Sequence, residues 1–127
     1  MAVEMALLTP AFALLMLFIA GAGRVVEAQG QVDGAARDAA RAASVQRDGS
    51  QVSGAVYQAA YADLNSGKKM CPDGMRTYWS GGPATGNVQA TVQCTINLLV
   101  VPGFGQVPLT GSAAAPLDTY VQRINWP

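Results

Sequence analysis

The sequence contains no histidine, and only 13% of its 127 residues are charged. The absence of histidine removes the most frequent general base and metal ligand of proteins. Carboxylates and cysteines do not form a dense cluster that could replace it. Eight acidic and eight basic side chains give a net charge of zero, without the basic patch that nucleic acid attracts. We therefore expect no catalytic residue, no metal site, no cofactor and no nucleic-acid partner.

What the sequence does have is a long apolar run near its start. Residues 5–23 are nineteen positions without a charge, and half of the whole chain is apolar. As a helix this run would measure roughly 28 Å, close to the hydrocarbon thickness of a bilayer. A buried core helix of this length is unusual in so small a protein. The run therefore favours an anchor in a membrane or in a filament.

A cleavable secretory signal is the main alternative for this run. Residues 20–23 are small enough for a signal peptidase. Two features argue against it: the amino end carries Glu4 in place of Lys or Arg, and the helical pattern continues through the supposed cleavage site. The anchor interpretation is preferred.

Glu4 lies at the mouth of the apolar helix, where an ionisable group is costly unless it is hydrated or paired. One interpretation is an interfacial carboxylate favoured by the positive end of the helix dipole. The other is a pair with the free α-amino group of a neighbouring subunit, at Met1. Such a pair would fix the axial register of packed helices, because a mispaired carboxylate would stay desolvated. We favour the second interpretation.

Pro10, Gly21 and Gly23 interrupt the helical propensity of the apolar run. Pro10 cannot donate its backbone hydrogen bond, which predicts a bend or a local break near residues 6–10. The glycines weaken the helix where it leaves the apolar zone. Helices in a filament could stretch at such points, although membrane helices also tolerate Pro and Gly. The sequence leaves both explanations open.

From residue 24 to residue 48 the helix becomes amphipathic. Asp33 and Arg37 stand four apart on the polar side, a favourable spacing for an ion pair. Gly30 and Gly34 also stand four apart, and small residues at this spacing permit close helix packing. The residues of the predicted packing stripe are Ala28, Val32, Ala35, Ala36, Ala39, Ala42, Ala43 and Val45.

The remaining eighty or so residues are enough for one small head. Ser50 is predicted to cap a second helix after the break at residues 48–50, and Gly67 to end it. Tyr57 and Tyr61 are predicted to lie half-buried beside its apolar face. That face comprises Val52, Val56, Ala59, Ala60 and Leu64.

Three strands are predicted after the second helix. They cover residues 75–80, 88–97 and 107–115, with turns at residues 81–86 and 102–105. Strict alternation of apolar and polar residues in the second strand is typical of an antiparallel sheet with one solvated face. The fold class is therefore α+β, with two helices packed on a small antiparallel sheet.

Cys71 and Cys94 are the only cysteines. In a head that has crossed a membrane they are expected to form a disulfide. Free buried thiols are the alternative, and a metal site is improbable with two sulfurs and no histidine.

Four segments resemble the TadE-like proteins of actinobacterial tight-adherence pilus loci, which are similar to type IV pilins. They are Val-Glu-Met-Ala-Leu-Leu-Thr-Pro at 3–10, the Ala-rich run at 23–43, Val-Gln-Cys-Thr at 92–95 and Ala-Pro-Leu-Asp-Thr-Tyr at 115–120. The resemblance implies a pilin-like fold, cleavage by a prepilin peptidase and insertion into the cytoplasmic membrane with the head outside. It further implies extraction into a pilus. Glu4 would then be the pilin glutamate, although pilins usually place that residue fifth after cleavage. This departure leaves open a processed end that differs by one residue, and without a basic leader the numbering is expected to be that of the mature protein.

The sequence therefore predicts a hydrophobic membrane or filament-core segment at 1–24, and a helix continuation with an extracellular head at 25–127. The predicted function is that of a structural pilin or pseudopilin, a homo-oligomer in a helical filament of the Tad class. A minor tip or priming pilin and a single-pass membrane-anchored binding protein are the alternatives, and an enzyme is the least favoured. The expected partners are other pilin subunits, the inner membrane before assembly, the prepilin peptidase and the pilus assembly machinery.

Overall fold

A computed structural model of the chain describes residues 1–65, 71, 74–97, 105–120 and 122–126. The fold is α+β, as predicted: a long apolar helix, a second helix and a three-stranded antiparallel sheet. The elements in chain order are α1 (Ala2–Ser44), a 3-10 helix (Gly49–Gln51), α2 (Val52–Leu64), β1 (Met75–Gly82), β2 (Asn87–Asn97) and β3 (Gln106–Pro116).

Helix α1 has 43 residues, about 65 Å of helix, and it runs through Pro10 without interruption. Of the predicted bend or local break at residues 6–10, the continuous helix contradicts the break, and the bend stays a prediction. The hydroxyl of Thr9 donates a hydrogen bond of 2.8 Å to the carbonyl of Met5, inside the turn that the proline weakens. The proposed boundary between residues 24 and 25 falls within this one continuous helix.

The sheet has the strand order β1-β2-β3, with antiparallel neighbours throughout. Trp79 of β1 is paired with Ala90 of β2, and Val92 of β2 with Gly111 of β3. The three predicted strands are confirmed, and each is slightly longer than its pattern suggested. The predicted turn at 102–105 falls outside the described residues except at Gly105.

The core lies between one face of α1, one face of α2 and the inner face of the sheet. The packing stripe predicted on α1 is confirmed for most of its members. Ala42 is only half-buried, Ala40 is buried instead, and Val45 is 70% exposed because the helix ends one residue before it. The buried residues of α1 are Ala28, Val32, Ala35, Ala36, Ala39, Ala40 and Ala43.

Gly111 of β3 lies directly beneath the backbone of α1. A Cβ atom at this position would stand 2.8 Å from the carbonyl oxygen of Val32 and 2.9 Å from Oδ1 of Asp33. The side chain of Gln29 also links α1 to β3 at this point. Its amide donates a hydrogen bond of 2.9 Å to the carbonyl of Thr110 and one of 3.1 Å to Oδ1 of Asp33. The helix and the sheet can approach this closely only because residue 111 has no side chain.

We expect Gly111→Ala to lower the free energy of unfolding by about 1–3 kcal/mol, because the new methyl group must push α1 and β3 apart. Thermal melting of the full chain in detergent measures the effect. Gly34→Ala is the matched control, since a Cβ there meets no atom within 4 Å. Alanine also has the higher helix propensity, which favours that variant by up to about 1 kcal/mol. Equal melting temperatures of the two variants would contradict the close approach of α1 and β3 at Gly111.

The break between the helices is capped by Asp48 and not by Ser50. The Asp48 carboxylate accepts hydrogen bonds from the backbone N–H of Ser50 at 2.9 Å and from its hydroxyl at 2.8 Å. These two bonds, with the backbone bond the larger contribution, lower the pKa of Asp48. Ser50 itself lies inside the 3-10 helix. The N-cap of α2 is Gln51, which makes no side-chain capping bond, so the predicted cap at Ser50 is wrong. Gly67, the predicted stop of α2, lies outside the described residues.

Tyr57 and Tyr61 lie on the outer surface of α2 and do not pack against the core, although they were predicted to lie half-buried beside its apolar face. They are 45% and 49% exposed, and their rings stack on each other with centroids 6.0 Å apart. The buried positions of α2 are Val52, Val56, Ala60 and Leu64. A residue directly after a buried one is rotated by about 100° around a helix, which carries both tyrosines out of the contact face.

Candidate assembly surface on the N-terminal helix

The amino-terminal half of α1 projects away from the head. In chain order, Val25 is the first residue that packs against the core and Ala28 the first that is buried. Among the helices that the structure describes, α1 alone is long and apolar enough to cross a membrane. Only 6% of its most apolar window is buried within the chain. The apolar segment therefore needs lipid or other protein to cover it.

Large apolar side chains surround this half of the helix on all sides. Leu7 is 71% exposed, Phe12 60% and Leu17 46%, and each of these residues is rotated by about 140° around the axis from the one before it. A helix that is apolar all round is found in a membrane or inside a bundle, and not on the surface of a head in water. The segment is thus a candidate surface for both environments.

Glu4 lies in the first turn of α1 and is exposed, three residues after Met1 at the helix N-cap. Both residues therefore occupy the same end of the helix, where the dipole favours a carboxylate. The N-cap makes no side-chain hydrogen bond to the first turn. A contact between Glu4 and the α-amino group of another subunit stays a prediction.

The glycines singled out in the sequence lie on open parts of α1. Gly23, Gly30 and Gly34 meet no atom within 4 Å of a constructed Cβ. Gly21 is half-buried, and Pro10 is exposed within the apolar half. None of these three open glycines is therefore used to pack α1 against its own head. If Gly30 and Gly34 serve packing, their partner is a second molecule.

Cys71 and Cys94 form a disulfide, as predicted, with their Cα atoms 5.5 Å apart. Cys94 is buried on the inner face of β2, where the alternation of that strand placed it. The bond links the start of the segment leading into β1 to the central strand.

Two carboxylates meet where α1 and α2 pack together. Asp63 of α2 is hydrogen-bonded to Asp38 of α1. This hydrogen bond, together with partial desolvation and the charge of Asp38, raises the pKa of Asp63 to about 6. The contact joins residues 25 positions apart on two helices, so no local sequence signal indicated it.

We expect Asp63→Asn to stabilise the head at neutral pH and to flatten its pH dependence. A raised native pKa means that the folded chain holds a proton which the unfolded chain has lost, so stability falls as pH rises from about 4 to about 6. Because both carboxylates are exposed and screened, the gain at pH 7 should be on the order of 1 kcal/mol or less. Melting of the full chain between about pH 4 and pH 7 measures it.

The control for this prediction is Glu27→Gln, which removes an exposed carboxylate from α1 outside the contact with α2. It should leave the slope of stability against pH unchanged. If the stability of Asp63→Asn changes with pH as steeply as that of the parent chain, the folded chain does not hold an extra proton on Asp63.

The carboxyl-terminal segment, residues 122–126, closes over the end of α1, a contact that the sequence did not indicate. The Arg123 guanidinium donates to the carbonyl of Gln46 at 2.7 Å and to that of Ser44 at 3.0 Å. It also lies 5.4 Å from the ring centroid of Trp126, a cation–π contact. The arginine thus supplies a donor to the carbonyl of Ser44, the last residue of the helix, and another to the carbonyl of Gln46 just beyond it.

Backbone contacts complete this closure. Ile124 and Asp48 form a parallel bridge, in which the N–H of Gly49 donates to Ile124 at 2.8 Å. A side chain at position 49 would overlap the backbone of Asn125, which explains the glycine there. Trp126 packs edge-on against Trp79 of β1 at 5.7 Å. The only signals in the sequence were an arginine and a tryptophan close to the end, which do not specify a partner.

Comparison with known proteins gives one result, and it falls on the projecting helix. Residues 1–41 match the family described as TadE-like protein. No curated protein matches the chain, and no solved structure matches it. The matched range contains Glu4, Pro10 and Gly30, and it ends three residues before α1 does. The match thus covers the apolar segment of α1 and most of its amphipathic part, and over this range the chain is similar to TadE-like proteins.

Proposed function

We propose that this protein is a structural pilin or pseudopilin subunit that assembles through α1 into an extracellular pilus of the Tad class. The proposal rests on one observation. The part of α1 that matches the TadE-like family contains a long apolar segment, and the head of the same chain leaves this segment uncovered. The proposal assigns the chain a structural role and no catalytic one.

In a filament, the apolar halves of α1 would pack side by side along the fibre axis and the heads would face solvent. Transfer from the bilayer into such a bundle replaces lipid by protein around the same apolar side chains. The hydrophobic effect therefore does not decide between the two environments, and close packing and polar contacts must do so. Glu4 would supply the polar contact, with the α-amino group of Met1 of a neighbour.

Gly30 and Gly34 support the same arrangement farther along the helix. They sit on the side of α1 opposite to the buried alanines, where nothing in the described part of the chain approaches them. A neighbouring helix could therefore come close at this point. Contacts of one surface with a different surface of the next copy produce an open helical polymer when the rotation between copies does not close into a ring.

Two other roles use the same helix. A minor pilin would occupy the tip or prime assembly, and a single-pass protein would keep its anchor in lipid and present the head as a binding module. Before assembly all three would reside in the cytoplasmic membrane, and the pilins would be substrates of a prepilin peptidase and of the assembly machinery. The match to the TadE-like family suggests a part in Tad pilus assembly, and it therefore favours the two pilin roles over the membrane-anchored binding protein.

Immunogold electron microscopy of cells, with an antibody against residues 70–127, tests the proposal. Label spaced along filaments is the expected result for a shaft subunit. Label confined to filament ends would assign the chain to the tip instead. Label scattered over the envelope, without filaments, would overturn the proposal in favour of the membrane-anchored binding protein.

A further inference from the structure

The outer face of the sheet, which is turned away from both helices, carries a continuous polar surface. Tyr78 is paired with Thr91, which is paired in turn with Ser112, so the three side chains form a row across the sheet. Arg76, Gln93 and Thr110 form the neighbouring row in the same way. The Tyr78 ring is 50% exposed. The surface defined by these six residues is called the outer polar face below.

A cleft of about 350 Å³ opens at one end of the outer polar face. Arg76, Gln93 and Thr95 line it, together with Gly74 and Met75. Its volume is within the range of small-ligand sites. Within the described residues, the side chains of Arg76, Gln93 and Thr95 have no hydrogen-bond or ion-pair partner. The cleft is thus lined by a guanidinium, an amide and a hydroxyl that have no such partner within the described part of the chain.

The charge of the outer polar face selects the class of ligand. None of the three strands contains an aspartate or a glutamate, and Arg76 is their one cation. A guanidinium binds a carboxylate through two parallel hydrogen bonds. The hydroxyl and amide groups of the face can both donate to and accept from sugar hydroxyls. The exposed Tyr78 ring offers a flat apolar surface for the C–H face of a sugar.

Other macromolecules fit this face less well. Nucleic acid binds through several phosphate contacts, and a single arginine would neutralise about one phosphate. A protein partner usually needs an apolar centre, which the outer polar face lacks apart from Tyr78. From this chemistry we propose that the outer polar face binds an acidic polysaccharide, with Arg76 on a uronate carboxylate, Tyr78 under the adjacent sugar and Gln93 and Thr95 on its hydroxyls.

Isothermal titration of the full chain in detergent micelles with tetragalacturonate tests this proposal, with neutral maltotetraose as the comparison ligand. We expect saturable binding of tetragalacturonate and at least tenfold weaker binding of maltotetraose. Arg76→Gln should weaken tetragalacturonate binding about tenfold, and Tyr78→Ser about fivefold. Both residues are exposed, and thermal melting verifies that the variants are folded.

The matched controls are Arg37→Gln on α1 and Tyr61→Ser on α2, which remove the same side chains from surfaces outside the sheet. They should bind within twofold of the parent chain. Absence of binding at tetragalacturonate concentrations up to about 10 mM would overturn the proposal, because a dissociation constant above this value is too weak for specific recognition. Equal binding of the neutral sugar, parent-like binding by Arg76→Gln, or preference for a DNA oligonucleotide would also overturn it.

Discussion

Replacing Glu4 with alanine is expected to abolish filament assembly while the protein still inserts into the membrane. In the proposed bundle, each Glu4 carboxylate neutralises the α-amino group of Met1 in a neighbour, away from water. Removing one partner of such a pair leaves the other charge desolvated, at a cost of about 3–5 kcal/mol per contact. Because the cost recurs at every subunit, a filament of many copies should not form.

Two measurements on cells check this expectation together. Electron microscopy and immunoblotting of sheared surface material report the filaments, and immunoblotting of the membrane fraction reports insertion. Glu27→Ala is the matched control, because Glu27 is an exposed glutamate of the same helix beyond its apolar part. It should leave filaments intact. Normal piliation in the Glu4 variant would refute the register role and leave Glu4 as an interfacial residue.

Loss of the disulfide is the second prediction with a large effect, and it concerns the head. The bond spans 23 positions of sequence, and closing a loop of this size should stabilise the fold by about 3 kcal/mol through the unfolded chain. We expect a double variant, Cys71→Ala with Cys94→Ala, to melt at a markedly lower temperature and to give fewer pili. Alanine at both positions avoids leaving a hydroxyl in the buried site of Cys94.

Thermal melting of the full chain with and without a reducing agent measures the effect of the disulfide. Reduction should lower the melting temperature of the parent chain and should leave that of the double variant unchanged. If reduction leaves the parent chain unaffected, the disulfide does not stabilise the head. Glu4→Ala should not change melting of the head, since Glu4 lies outside the core, and the two predictions are therefore independent.

Where an element is regular, the sequence predicted it from its periodicity. The second strand alternates between apolar and polar residues over its whole length, and Val88, Val92 and Cys94 are buried on one face as expected. The stripe of small residues on α1 also matched the buried face, except that Ala40 is buried in place of Ala42 and that the helix ends before Val45. Periodicity works here because each of these elements buries a single face.

The local predictions that were wrong depended on contacts with other elements or on competing local signals. Tyr57 and Tyr61 are apolar enough for a core, but α2 buries only one narrow face and both tyrosines lie outside it. Asp48 and Ser50 are both good helix caps, and Asp48 prevailed because a 3-10 turn precedes α2. Pro10 did not break α1, and apolar helices of the membrane-spanning kind do tolerate an interior proline.

The sequence by itself determined the apolar helix with Glu4 at its mouth, the α+β class and the cysteine pair, and these features carry the proposed pilin role. All three depend on residue type and local spacing. Only the tertiary structure decided that α1 leaves its first half uncovered, that Gly111 lies beneath it and that Arg123 caps its end. It also brought Asp38 to Asp63. The last three contacts join residues far apart in the chain, and their partners are chosen by the packing of the folded head rather than by local sequence.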